Sequence, residues 1–252
     1  MELADLVAHL DAQLRLRELP DYANAVNGLQ LANRSGRVTR VAAAVDATLP
    51  VVRKAVDQQA DLLVVHHGLF WSGLQPWTGA AFERMRLAIE AGLAIYSAHL
   101  PLDAHPEHGN NARLAAALGL EPDGGFLNYK GLDVGLTCTT ELPREELVAR
   151  FTTALGGGRV HVCPGGPAVC RRIGLSTGGS GSEVAAAAAA GIDTFLTGEG
   201  PHWSYTLAEE LGINVLYGGH YATETFGVKA LAADLEQRFG LPWGFVDHPT
   251  GL

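Results

Sequence analysis

Three short apolar runs in this chain each lead to a histidine. Asp61-Leu62-Leu63-Val64-Val65-His66-His67-Gly68 is a four-residue aliphatic run that ends on a histidine pair. Tyr96-Ser97-Ala98-His99-Leu100-Pro101-Leu102-Asp103 repeats that edge, and Tyr217-Gly218-Gly219-His220-Tyr221-Ala222-Thr223-Glu224 repeats it again. Aliphatic runs this short, bounded by turn residues and separated by helical patterns, read as buried strands joined by crossover helices. That alternation restricts the chain to an α/β layering with mainly parallel sheets.

The pattern extends along the whole chain. Leu3, Leu6, Val7, Leu10, Leu14 and Leu16 recur at helical spacing, and a polar loop with Asn27-Gly28-Leu29-Gln30 follows. Val38 to Val45 reads as a strand, Leu49 to Gln59 as a helix and Leu62 to Val65 as a strand. Ala80 to Ala91 reads as a helix stopped by Gly92, Leu93 to Ser97 as a strand, and Asn110 to Leu118 as a helix closed by Gly119. Asp123-Gly124-Gly125 reads as a boundary. Beyond it, Leu132 to Thr140, Arg159 to Val162, Arg172 to Thr177, Ile192 to Thr197 and Ile213 to Tyr217 read as strands. Helices begin after Pro143, in the alanine run near Ala185 to Ala190, at Ser204 and at Val228, and Phe245-Val246 reads as a last edge strand. Both halves contain strand, helix, strand, then a further helix and strand leading to a histidine-x-x-x-acid step. The expectation is two related α/β lobes, residues 1–124 carrying His66, His67 and Asp103, and residues 125–252 carrying His220 and Glu224.

Apolar residues make up 47% of the 252 and charged residues 18%, enough for a substantial core. The net charge of −9 argues against a nucleic-acid binder, which would carry a basic face. Cys138, Cys163 and Cys170 form an odd set without a C-x-x-C pair, which fits a reducing compartment. The start Met1-Glu2-Leu3-Ala4-Asp5 lacks the basic region of a secretory signal, and no apolar run is long enough to span a membrane. The expected location is the cytoplasm.

Imidazoles and carboxylates gathered at strand ends are the donor set of a divalent metal site. In a parallel sheet the residues just past the strand C-termini share one edge, where ligands bind. If His220 opens a helical turn, Glu224 lies on the same face one turn later. At a strand end the backbone turns, so His66 and His67 can splay toward two different ions. Two ions about 3.5–4 Å apart could then share a bridging carboxylate, best placed at Glu224. The remaining histidines have plainer readings: His9 on the exposed side of the first helix, His161 and His248 in short strands or loops, His105 and His108 in a loop around Pro106, and His202 near the cleft. The Gly178 to Ser182 loop offers backbone N–H groups to a phosphate, though strand-to-helix glycine turns more often only reverse the chain. Asp46 reads as a helix cap in preference to a supporting partner of a metal ligand. Trp71, Trp77 and Trp203 could wall the cleft or stack a base, though core or interface packing is the plainer reading.

Asn27-Gly28-Leu29-Gln30, His66-His67-Gly68-Leu69-Phe70-Trp71, Ser97-Ala98-His99-Leu100-Pro101-Leu102-Asp103, Gly109-Asn110-Asn111, Thr197-Gly198-Glu199 and Gly219-His220-Tyr221-Ala222-Thr223-Glu224 resemble the motifs of the Nif-three-like dinuclear metal-binding proteins. That family is also labelled GTP cyclohydrolase I type two, and the resemblance spans essentially the whole chain. It implies a dinuclear metal site between two α/β lobes and a ring-shaped homohexamer. By match to the family motif, His66, His67, Asp103, His220 and Glu224 would be the ligands. His99 would stand beside the metals as a supporting group or acid/base. Longer members carry an inserted middle domain that this chain is too short to hold. Many members read His-His-Pro where this one has Gly68. Many also place a Trp-Asp pair ahead of Asn-Gly-Leu-Gln, where this chain has Asn24-Ala25-Val26.

The implied chemistry is metal-dependent hydrolysis with two divalent ions, of zinc, manganese, iron or nickel, and a nucleotide or other small molecule as substrate. The family label points to hydrolytic opening of a purine imidazole ring with loss of formate. A phosphoesterase or amide hydrolase on the same ions is an alternative, and a non-enzymatic metal-handling or regulatory scaffold is another.

Overall fold

Leucines at positions 3, 6 and 10 share one face of helix α1 (Leu3–Gln13), and all three are buried. Burying each such side chain contributes roughly 1.5–3 kcal/mol. This is a computed structural model, and it describes residues 1–73 and 75–252. The chain continues through β1 (Gly28–Leu31), β2 (Val41–Asp46), α2 (Leu49–Asp57), β3 (Leu62–His67), α3 (Gly79–Ala91), β4 (Ala94–Ser97), α4 (Leu100–Asp103) and α5 (Asn110–Leu118). Next come β5 (Gly124–Tyr129), β6 (Leu132–Pro143), α6 (Arg144–Ala154), β7 (His161–Pro164) and β8 (Val169–Leu175). After a 3-10 turn at Ser180–Glu183 follow α7 (Val184–Ala189), β9 (Thr194–Thr197), α8 (His202–Leu211), β10 (Asn214–Tyr217), α9 (His220–Thr223), α10 (Thr225–Phe239) and β11 (Trp243–Phe245).

The chain is mixed α/β and forms two compact units. Residues Met1–Leu102 with Gly227–His248 make the first, and Asp103–Phe226 with Pro249–Leu252 the second. The first unit holds a five-stranded sheet in the order β1-β4-β3-β2-β11. Its β4-β3, β3-β2 and β2-β11 pairs are parallel, and β1 is antiparallel at the edge. One face of the sheet packs against α1 and α10, through Leu6, Leu10, Val41, Val64, Tyr96, Val228, Leu231 and Leu235. The other face packs Val51, Val52 and Ala55 of α2 and Ala88 of α3 against Leu63, Val65 and Ile95. A sheet covered on both faces requires strands that are apolar throughout, which is why β2 and β3 read as unbroken aliphatic runs.

The second unit holds a six-stranded sheet, β5-β6-β8-β9-β10-β7. Its β8-β9 and β9-β10 pairs are parallel, while β5, β6 and β7 join antiparallel. The two units share an internal order: β2-α2-β3-α3-β4-α4 in the first and β8-α7-β9-α8-β10-α9 in the second. The corresponding strands sit side by side in the same sequence, β4-β3-β2 and β10-β9-β8. The expected duplication therefore exists as a repeated supersecondary order.

Three features differ from the sequence reading. The division of the chain does not follow the expected break between residues 124 and 125. Residues 103–124 group with the second unit, and α10 and β11 return to the first because the α10 leucines share a core with α1 and β11 pairs with β2. Gly28–Leu31 is an edge strand rather than a loop. Four residues, Gly-Leu-Gln-Leu, are too few to carry a periodicity, and only pairing with β4 defines the strand. Gly124 and Gly125 open β5 rather than a linker. A Cβ at either would crowd Thr137 or Asp133 on β6, so the small residues permit close strand approach.

Phe151 is fully buried in the second unit, with Leu147, Ile173 and Leu216 in the same core. Phe151→Ala is expected to cost about 3–5 kcal/mol, read as a lower urea midpoint at unchanged m-value.

Candidate metal centre

In the first unit, strand register places the acceptors. Asp46 ends β2 directly opposite His67 at the end of β3. The His67 Nδ1–H donates to Asp46 Oδ1 at 2.9 Å. Asp46 thus orients an imidazole, whereas Thr48 occupies the N-cap position of α2, and the capping expectation is corrected. The His66 Nδ1–H donates to the Ala98 carbonyl at 2.9 Å, one residue beyond β4. The His99 Nδ1–H donates to Asp21 Oδ1 at 2.9 Å. In each ring the nitrogen left to present its lone pair is therefore Nε2.

The three rings converge. Centroids lie 4.8 Å apart for His66–His67, 4.9 Å for His66–His99 and 5.6 Å for His67–His99. One ring nitrogen from each falls within 4.8 Å of the others, and all three residues are buried, so this group could hold a metal ion. Trp71 covers them, its ring 4.7 Å from His67 and 4.4 Å from His99, while Trp77 and Trp203 are exposed. The His66-His67 turn is held by Gln30. Its Oε1 accepts the Leu69 N–H at 2.6 Å and its Nε2 donates to the Ala25 and Val26 carbonyls. A Cβ at residue 68 would overlap the Gln30 amide, so glycine there is what admits this brace.

Asp21 accepts four donors: His99 Nδ1, Asn27 Nδ2 and the Tyr22 and Leu100 N–H groups. Burial pushes its pKa up, but the His99 hydrogen bond and charge, with Asn27 and Tyr22, outweigh burial and leave the carboxyl below its usual 3.8. Asp21 escaped the sequence reading because it lies far from His99 along the chain and sits outside any motif.

In the second unit, α9 opens at His220, so Glu224 follows on the same face. Their Nε2 and Oε2 atoms are 3.1 Å apart. The His220 Nδ1–H donates to Glu199 Oε1 at 2.9 Å, two residues past the end of β9. Burial depresses the His220 pKa, but Glu224 and then Glu199 outweigh it and raise the pKa to about 9. Glu224 is buried against the Gly178 loop. Gly178 has φ +68°, and a Cβ there would overlap Glu224 Oε1. The Gly178 N–H donates to Thr223 Oγ1, and its carbonyl accepts the Gly198 and Glu199 N–H groups. This loop is therefore a backstop for Glu224, and its Gly178 and Gly181 N–H groups are engaged within the protein. Asp103 is buried too: Asn110 Nδ2 donates to its Oδ1 at 2.8 Å, and Thr177 Oγ1 lies 3.5 Å from the same oxygen. Asn111 Nδ2 reaches the Asp103 carbonyl at 3.3 Å, and its Oδ1 accepts the Thr177 N–H.

His9 is half-buried, its ring edge-on to Phe239 at 4.9 Å, rather than on an exposed face. His105 stacks on His108 at 4.8 Å and caps the loop by accepting the Glu107 and His108 N–H groups. No helix among the described residues is long and apolar enough to cross a membrane.

A family model described as Duf34/NIF3 (NGG1p interacting factor 3) matches residues 1–250. A Deinococcus radiodurans protein named "GTP cyclohydrolase 1 type 2 homolog" is 43% identical over 251 residues, covering 98% of this chain and 94% of that protein. An Archaeoglobus fulgidus protein of the same name is 39% identical over the full length of both. The crystal structure of TTHA1606 from Thermus thermophilus is 40% identical, with a TM-score of 0.88 and full coverage of both chains. A structure described as protein ybgI, of unknown function, matches at a TM-score of 0.92 and 33% identity, again over both full chains.

Asp21→Asn is expected to lower stability at pH 7 by about 1–3 kcal/mol. Because the folded pKa is the depressed one, Asp21 contributes stability that is present above pH 3.8 and lost as pH falls through its folded value. The Asn variant should lack that share of the acid loss, seen by comparing urea midpoints at pH 7 and pH 3. Gly178→Ala should displace the Glu224 carboxylate and weaken zinc or manganese binding about 10–100-fold in calorimetry, with the circular dichroism spectrum preserved.

Proposed function

The chain belongs to the Duf34/NIF3 family, and from that premise we propose that it is a metal-dependent hydrolase that holds two divalent cations with His66, His67, Asp103, His220 and Glu224. One observation carries the reading: each of the four imidazoles at the strand ends has its Nδ1–H engaged by a carboxylate or a carbonyl. Metal-ligating histidines show that arrangement, because it fixes the ring and leaves Nε2 as the donor. Mixed nitrogen and oxygen donors suit zinc, manganese, iron or nickel.

When bound, the cations would polarise the substrate and make water acidic enough to attack near neutral pH. The other steps belong to the chain. Asp21 pins the His99 proton on Nδ1, so Nε2 is the atom that accepts and returns a proton. Trp71 covers His67 and His99 and restricts solvent on that side. The name shared by the relatives, "GTP cyclohydrolase 1 type 2 homolog", supports a purine nucleotide as substrate, with hydrolytic opening of the imidazole ring and release of formate. The homohexameric ring, supported by the family resemblance, and a cytoplasmic location, supported by three cysteines without a C-x-x-C pair, are part of the same proposal.

Metal-loaded protein supplied with GTP should release formate and the ring-opened product. His99→Ala should lower kcat about 100-fold or more while retaining bound metal by elemental analysis. Metal retained without turnover of GTP, across zinc, manganese, iron and nickel, would remove the cyclohydrolase reading. Loss of metal affinity in neither His67→Ala nor His220→Ala would remove the metal centre itself.

A further inference from the structure

We propose that a pocket in the second unit is a recognition site for a planar nitrogen heterocycle carrying adjacent N–H donors on one edge. The pocket has a volume of about 460 Å³, within the range of about 300–1,000 Å³ that holds small ligands. Its lining includes His161, Glu199, His202, Tyr205 and Tyr217.

Strand register builds the wall. β7 runs antiparallel to β10 and sets His161 opposite Tyr217. The His161 ring lies 6.0 Å from Tyr217 and 5.5 Å from Tyr205, inclined at 35° and 38°. The Tyr217 hydroxyl is tied to Ser204 Oγ at 2.8 Å, which restrains that ring. Burial raises the Tyr217 phenol, so it stays neutral. A lining that includes two tyrosines and a histidine favours a flat aromatic guest over an aliphatic one.

The polar group that selects among flat guests is Glu199. It lines the pocket, and one of its oxygens accepts the His220 Nδ1–H. A carboxylate has acceptor capacity for further donors, and paired N–H groups match its two oxygens. Guanosine offers such a pair at N1 and the 2-amino group. Adenosine offers an acceptor at N1 and is disfavoured by the carboxylate. The site extends the hydrolase reading, on which it rests only for the notion that such a guest is part of a substrate. Its residues all belong to one unit, and binding requires no cation.

Calorimetric titration of the full chain with guanosine and with adenosine, before and after EDTA treatment, tests the inference. Saturable guanosine binding is expected in both preparations, with adenosine at least tenfold weaker. Tyr205→Leu and His161→Ala should each weaken guanosine about tenfold or more, and Glu199→Gln should reduce the guanosine-to-adenosine ratio. Thermal melts identify a variant that fails to fold, and His202→Ala, an exposed position, then replaces it. No saturation at millimolar guanosine, or an affinity indifferent to both ring variants, would overturn the site. Binding lost only after EDTA would overturn its independence from metal. Because no turnover is read, failure here leaves the cyclohydrolase test untouched, and failure there leaves this one.

Discussion

Hydrogen bonds from Nδ1 organise this molecule's chemistry. A histidine at a strand end can present either nitrogen, and a mixture of tautomers would scatter its lone pairs. Here Asp46, Asp21, Glu199 and the Ala98 carbonyl each take the Nδ1–H of one ring. Every imidazole is thereby reduced to one donor atom in one direction. Three of the four acceptors are carboxylates, which also make the ring nitrogen opposite a stronger base.

The parallel sheet supplies those acceptors. β2, β3 and β4 end together, so a residue leaving one strand lies beside a residue leaving the next, as the Asp46–His67 pair shows. The second unit repeats the arrangement with Glu199 after β9 and His220 after β10. The repeated strand-helix order thus does more than cover a sheet: it delivers an imidazole and its acceptor to the same edge twice. Close backbone contacts complete the placement. Glu224 can rest against residue 178, and Gln30 can brace residue 68, because both positions lack a side chain.

Much of this was legible in the sequence. The aliphatic runs located β2, β3, β4, β9 and β10 to within a few residues, because strands buried on both faces must be apolar throughout. The four-residue spacing of His220 and Glu224 placed both on one helical face, since that spacing is a local property of any helical turn. The edge strands β1 and β5 were invisible, because their residues gain strand structure only through a neighbour. The Gly178 loop was readable as a turn, yet its contact with Glu224 depends on a helix more than forty residues away.

The amino-acid sequence by itself determined the central elements and the donors: which aliphatic runs become buried strands, roughly where each ends, and which histidines stand at those ends. Tertiary structure alone decided which acceptor orients which imidazole. Asp21 and His99 are 78 positions apart, and Asp46 and His67 are 21 apart. Separations of that kind have no periodicity to betray them. The pairing exists only once hydrophobic burial has fixed the register of the sheet, because burial is indifferent to which polar groups it brings together at the sheet's edge.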